Sequence, residues 1–142
     1  VKAPTTGSKV SGSVTSDSGS PVESNVTLTS TTDSSKTFTV TTTNGAYEIT
    51  VPNDTYKFVV TKKAHLSYTK NELAVSEDVV KDVKLVGGDT NADGTINYRD
   101  LNSVIVEYNT AGETADINGD GTVNYRDLNV IITNYNANAV AE

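Results

Sequence analysis

Asp89-Thr-Asn-Ala-Asp-Gly-Thr-Ile-Asn-Tyr-Arg-Asp100 recurs 27 residues later as Asp116-Ile-Asn-Gly-Asp-Gly-Thr-Val-Asn-Tyr-Arg-Asp127. Extended to Asn109 and Asn136, 14 of 21 aligned positions are identical, so the stretch is a duplicated unit. Each copy places oxygen-bearing side chains at loop positions 1, 3, 5, 9 and 12 and glycine at position 6. This spacing lets a short loop wrap a hard cation in oxygens.

Calcium takes six to eight oxygen ligands at about 2.3–2.6 Å in a tolerant geometry. In the first loop the spacing assigns the side chains of Asp89, Asn91 and Asp93, the carbonyl of Thr95, a direct or water-mediated contact from Asn97, and the carboxylate of Asp100. The second loop assigns the same roles to Asp116, Asn118, Asp120, Thr122, Asn124 and Asp127. Two Ca2+ ions are expected. Gly94 and Gly121 fall where the backbone must turn sharply. Position 12 is Asp rather than the Glu of the usual EF-hand, so the following helix must sit closer to the ion. Magnesium fits less well, because it demands tighter octahedral geometry. The bland alternative is a pair of Asx-turns rich in Asp, Asn and Gly.

After each loop the apolar residues follow helical spacing: Leu101, Val104, Ile105 and Tyr108, then Leu128, Ile131, Ile132 and Tyr135. Two helices of about three turns, packing stripe against stripe, are expected. Helices this short are not stable alone, so metal binding would supply folding free energy. Ala111 to Ala115 reads as a connector with the option of a helical turn. No helix precedes the first loop, because Gly87-Gly88 runs straight into Asp89.

Charge divides the chain. Residues 1–87 carry nine Lys and nine acidic residues, while residues 88–142 carry nine acids and two Arg, a net −7. Six of those nine acids are candidate ligands, so metal binding accounts for the acidity and nucleic acid is an improbable partner. The absence of cysteine excludes disulfides. No apolar run approaches the roughly 18–20 residues of a membrane span. With no initiator Met and no signal peptide, the chain reads as a fragment of something longer.

Residues 1–8 read as a linker. Alternation follows in Val10, Gly12 and Val14; Val26 and Leu28; Phe38 and Val40; Tyr47, Ile49 and Val51; Tyr56, Phe58 and Val60; and a last strand within Val79 to Leu85. Turn signals at Asp17 to Pro21, Thr32 to Ser35, Asn44-Gly45 and Pro52 to Asp54 separate them. Six or seven short strands with a Thr-rich polar face predict a small β-sandwich. His65, the lone histidine, has no partner for zinc or catalysis and reads as a surface or loop residue. Lys62-Lys63 reads as a solvated strand end.

Lys9-Val-Ser-Gly-Ser-Val-Thr15, Ser20-Pro-Val22, Val26-Thr-Leu28, Thr43-Asn-Gly-Ala-Tyr47 and Val51-Pro-Asn-Asp-Thr-Tyr56 resemble the carboxypeptidase regulatory-like domain. That resemblance covers residues 9–86 and implies a transthyretin-like, Ig-like all-β sandwich without a catalytic role. Loop-then-helix repeats at 89–109 and 116–136, with Asp at position 12, resemble the dockerin family over about residues 88–136, which implies a small all-α EF-hand-like module in residues 87–142. The pair is similar to X module–dockerin arrangements.

That resemblance implies calcium-dependent binding of a cohesin domain, assembly of an extracellular cellulosome or anchoring of its components at the cell surface, and an X module that stabilises the dockerin and is able to touch the cohesin. It also implies cohesin contacts at Tyr98, Arg99, Asn102 and Val106, and at Tyr125, Arg126, Asn129 and Thr133. Tyr and Arg are the residue types enriched at binding hot spots. Alternatively, Tyr covers the loop and Arg offsets nearby carboxylates. If both copies use the Tyr-Arg pair, the identity of Asn97–Asn102 and Asn124–Asn129 gives near two-fold symmetry and allows binding in two orientations related by about 180°, so single and dual modes both stay open. Val106 against Thr133 breaks that symmetry. Two other classes compete: a calcium-stiffened structural spacer, and an enzyme or sugar-binding domain. For the last there is no Ser–His–Asp set, no histidine cluster, no phosphate loop and few aromatics. An enzyme or a scaffoldin remains open as the full-length parent.

Overall fold

A computed structural model describes residues 7–16 and 19–142. Residues 1–6 of the expected linker, and Asp17 and Ser18 of the first expected turn, lie outside the described residues. Strand β1 (Gly7–Ser16) already begins at Gly7, where Gly7 and Ser8 pair with Pro52 and Val51.

The period-2 pattern produces two sheets. β4 (Ala46–Pro52) pairs antiparallel with β1. On β1's other side run β7 (Val79–Val80), in parallel, and β8 (Val83–Leu85). The second sheet runs β3 (Thr37–Thr41), β2 (Asn25–Ser30), β5 (Asp54–Thr61), β6 (Tyr68–Val75) and β9 (Val140–Ala141). Alternate residues Val10, Val14, Val26, Leu28, Tyr47, Val51, Tyr56, Phe58 and Val60 are buried, as the alternation required. Asn44-Gly45 forms a tight turn with positive φ at both residues, closed by hydrogen bonds between Thr43 and Ala46. It delivers Tyr47 into the core, where the hydroxyl donates to the Lys81 carbonyl at 2.6 Å. Tyr56 donates likewise to Pro52. Both phenols thus keep a partner on burial, which an unpaired hydroxyl would make costly.

Two features differ from the alternation reading. Strand β6 carries Lys70, Asn71 and Glu72, and its alternation is confined to buried Leu73 and Val75, too short a run to announce it. The single strand expected within Val79 to Leu85 is two short strands broken around Asp82, whose carboxylate accepts the Ser13 N–H at 2.9 Å.

The chain separates into two compact units: Val1–Val60 with Tyr68–Lys84 and Ala141–Glu142, and Thr61–Ser67 with Leu85–Val140. The second holds α1 (Tyr98–Glu107) and α2 (Tyr125–Thr133). Its core is Ala64, Leu66, Ile96, Val104, Ala115, Ile117, Val123 and Ile131. Ala64 and Leu66 come from the β5–β6 connection, so that connection belongs with the helices. His65 sits in that loop, as one half of its reading had it, but it is buried, 7% exposed, with ring Nδ1 2.9 Å from the Lys63 carbonyl, which corrects the surface half.

The stripe expectation holds for half of each helix. Val104 and Ile131 are fully buried, and Leu101 and Leu128 pack against the core. Ile105 and Ile132, however, are 60% and 59% exposed, and Tyr108 and Tyr135 are exposed as well. At about 100° per residue, Ile105 lies on the same side as Tyr98 and away from Val104. The connector Ala111 to Ala115 makes bends, not a helical turn.

Candidate functional site

Each loop closes on its own last carboxylate. Asp100 is fully buried; its Oδ1 accepts Thr90 N–H at 2.8 Å, the Thr90 hydroxyl at 3.1 Å and Asn91 N–H at 3.4 Å. Its Oδ2 accepts Asn97 N–H at 2.8 Å, while the Asn97 side chain accepts Arg99 N–H at 3.0 Å. This is a capping box: one carboxylate closes the loop and starts the helix. Asp127 does the same for Ile117, Asn118 and Asn124, and the Asn124 side chain caps α2 through Arg126 N–H.

At the start of the first loop Asp89 accepts N–H groups from Asp93 and Gly94. Asn91 accepts Asp93 N–H, and Asp93 accepts Thr95 N–H. Asn118, Asp120 and Thr122 repeat the last two contacts. Gly94 and Gly121 have φ of 86° and 90° with open space where a Cβ would be, so backbone conformation rather than crowding selects glycine there.

The structure brings together the carboxylates of Asp89, Asp93 and Asp100, and those of Asp116, Asp120 and Asp127, each set with ligand atoms within 4.8 Å of one another. Asn97 and Asn124 have their side-chain oxygens engaged in helix caps, and Thr95 donates its hydroxyl to Asn138 at 2.8 Å. Burial pushes the Asp89 carboxyl above its usual range. N–H donors from Gly94 and Asp93 hold it back, and the charges of Asp100 and Asp93 push it further. Asp116 Oδ1 is buried with no hydrogen-bond partner. A buried lone oxygen and a crowd of like charges both favour a cation between them. With only oxygen donors present, the residues fit a hard divalent ion such as calcium rather than zinc.

Both helices carry an exposed face. Tyr98, Arg99, Asn102 and Val106 are all exposed, as are Tyr125, Arg126, Asn129 and Thr133. The Arg99 and Arg126 guanidiniums lie 5.4 Å from the ring centres of Tyr98 and Tyr125. Arg126 also reaches Asp120 at 4.0 Å, a solvent-exposed contact worth little. Ile105 and Ile132 extend these faces. Their helical spacing marked them as core, and nothing in the sequence signalled otherwise.

The two repeats brace each other symmetrically. Asn109 N–H donates to Val123 O at 2.8 Å, and Asn136 N–H to Ile96 O at 2.7 Å. Both asparagines hold positive φ, and Ile96 and Val123 are loop position 8, fully buried.

The fold and loops define a class, a β-sandwich followed by a duplicated loop–helix module with two acidic cages. Within it, the chain belongs to the carboxypeptidase regulatory-like domain family, whose model matches residues 9–86, and residues 87–136 match the model of the dockerin type I domain. Both kinds of domain are non-catalytic. No curated protein matches the chain. Among solved structures it is similar to an N-terminal interface mutant of a type II cohesin–X-dockerin complex from Acetivibrio cellulolyticus, at 22% identity and a TM-score of 0.74. It is also similar to a C-terminal interface mutant of that complex, at 21% and 0.72; both likenesses cover 94% of this chain and 98% of the other. Among the described residues no helix is long and apolar enough to cross a membrane.

Proposed function

We propose that the chain is a calcium-dependent adaptor that binds a cohesin domain and thereby joins an extracellular cellulosome or anchors one of its components at the cell surface. The observation that carries this reading is the exposed face repeated on α1 and α2, where Tyr, Arg and Asn stand beside an isoleucine about 60% exposed. Large apolar groups held in water beside aromatic and guanidinium anchors are what a partner surface covers. Two calcium ions, one per cage, hold the loops from which these helices start. Asp89, Asn91, Asp93, the Thr95 carbonyl, Asn97 and Asp100 form one ligand set. Asp116, Asn118, Asp120, the Thr122 carbonyl, Asn124 and Asp127 form the other. Tyr98, Arg99, Asn102, Val106, Tyr125, Arg126, Asn129 and Thr133 meet the cohesin, and Ile105 and Ile132 join them. Because Tyr, Arg, Asn and Ile recur on both helices, with Val106 against Thr133 as the difference, either helix can lead, in two orientations.

The test is isothermal titration against type I and type II cohesins, in calcium and in excess chelator. Both types belong in the panel, because the family match is to type I and the similar complexes are type II. Tight one-to-one binding that vanishes in chelator is expected. Replacing Tyr98 and Arg99, or Tyr125 and Arg126, with alanine should leave binding, and replacing all four should remove it. Loss from one pair alone rules out the two orientations. A folded chain that binds no cohesin in calcium is instead a calcium-stiffened spacer.

A further inference from the structure

Glu107, the last residue of α1, lies outside both loops, yet its carboxylate holds the chain just ahead of the second one. Oε1 accepts Thr114 N–H at 3.2 Å and Ala115 N–H at 3.0 Å, and Oε2 accepts the Thr114 hydroxyl at 3.0 Å. The connector folds tightly enough to reach it only because residue 112 is glycine. Its φ is +66°, and a Cβ there would collide with Val123 Cγ2 and sit 3.1 Å from Glu107 Oε1. Ala115, next to Asp116, is fully buried. The backbone leading into the first loop position is therefore pinned by a carboxylate and by the core.

The repeat gives an independent check. Shifted by 27 residues, Glu107 becomes Asn134, and Thr114 becomes Gly87. Asn134 Nδ2 donates to the Gly87 carbonyl at 2.9 Å. One repeat position thus braces the approach to a loop twice, and each time the approach to the loop of the other repeat. The chemistry is inverted to suit the target: an acceptor where N–H and O–H groups need holding, a donor where a carbonyl does.

Downstream of this brace, Asp116 Oδ2 accepts Gly121 N–H at 2.9 Å, while Oδ1 is buried without a partner. We infer that Glu107 is a positioning residue for the second calcium loop, holding Thr114 and Ala115 so that the Asp116 carboxylate is aimed before the ion arrives. The inference rests on the calcium reading of the loops. Groups that orient a ligand from outside the coordination shell change metal affinity by about 10–100-fold when removed.

The test uses the whole chain, labelled with 15N and titrated with calcium chloride in chelator-buffered solutions. The Gly94 and Gly121 amides, which donate to Asp89 and Asp116, report each loop separately. Glu107→Ala should move the Gly121 midpoint to about 10–100-fold higher free calcium and leave the Gly94 midpoint within about twofold. Glu107→Gln keeps one acceptor oxygen and the side-chain shape, and should recover part of that loss. Midpoints that move together, or a Gly121 midpoint that does not move, overturn the positioning role. An unaltered chain whose Gly94 and Gly121 amides ignore calcium overturns the calcium reading itself, and the inference with it.

Discussion

At the scale of single residues, the carboxylates show what the metal-free fold must tolerate. Asp89 is 3% exposed and has Asp93 and Asp100 within ligand distance. Because burial raises its pKa in the folded state, its contribution to metal-free stability is greatest below the ordinary Asp range and is lost as pH rises through the raised value. A bound divalent ion reverses the sign by making the ionised form the favoured one. On the proposed calcium reading, protons and the ion therefore compete at Asp89 at a higher pH than at an ordinary aspartate. Calcium affinity at the first loop, measured by calorimetric titration between pH 7 and pH 4, should begin to fall above the usual Asp range. Once below the pKa of Asp89, the loss is about tenfold per pH unit for one competing proton. An affinity flat down to the ordinary Asp pKa contradicts that competition. The gathering of three carboxylates in each loop was legible because the spacing that produces it is local along the chain. The caps were half legible. Asn at position 9 and Asp at position 12 stand at capping-box spacing, but the sequence could not divide Asn97 between ion and helix, and the fold gives its oxygen to Arg99 N–H.

At the scale of elements, each helix is one stripe wide in the core and apolar beyond it. Ile131 is fully buried in the second unit and Ile132 is 59% exposed, one residue away. In saturating calcium, Ile131→Ala should destabilise by about 2–5 kcal/mol in chemical denaturation, as expected for a cavity in a packed core. Ile132→Ala should change stability by no more than about 0.5 kcal/mol. If cohesin binding proceeds as proposed, only the second substitution weakens it at unchanged stability. Equal destabilisation by both would place Ile132 in the core. Helical periodicity announced the apolar stripe but not its boundary, because the width of a buried face depends on the neighbour that covers it. The same limit hid β6: Lys70, Asn71 and Glu72 carry no alternation, and the strand exists because its backbone pairs with β5.

At the scale of the whole molecule, the two units have separate reasons to fold. The sandwich has its own alternating core and, among its described residues, no cluster of carboxylates able to hold an ion. The helical unit has two short helices, eight buried core residues and two acidic cages. Removing calcium should therefore lower the stability of the helical unit without unfolding it, and spare the sandwich. By amide hydrogen exchange in chelator, protection should fall across both loops and helices and stay unchanged in β1, β2, β4 and β5. The segment Thr61–Ser67 should lose protection with the helices, although sandwich strands flank it in sequence, because Ala64 and Leu66 are buried in the helical core. Protection of Leu66 N–H that persists in chelator would assign the segment to the sandwich. By itself the sequence determined the two-part organisation, the sandwich class and the duplicated cages, since these follow from short-range periodicity and spacing. Only the tertiary structure decided that residues 61–67 join the helices, that Ile105 and Ile132 face solvent, and that Glu107 and Asn134 brace the loops across repeats. Those facts depend on which distant residues meet, and no local pattern in the chain encodes a meeting.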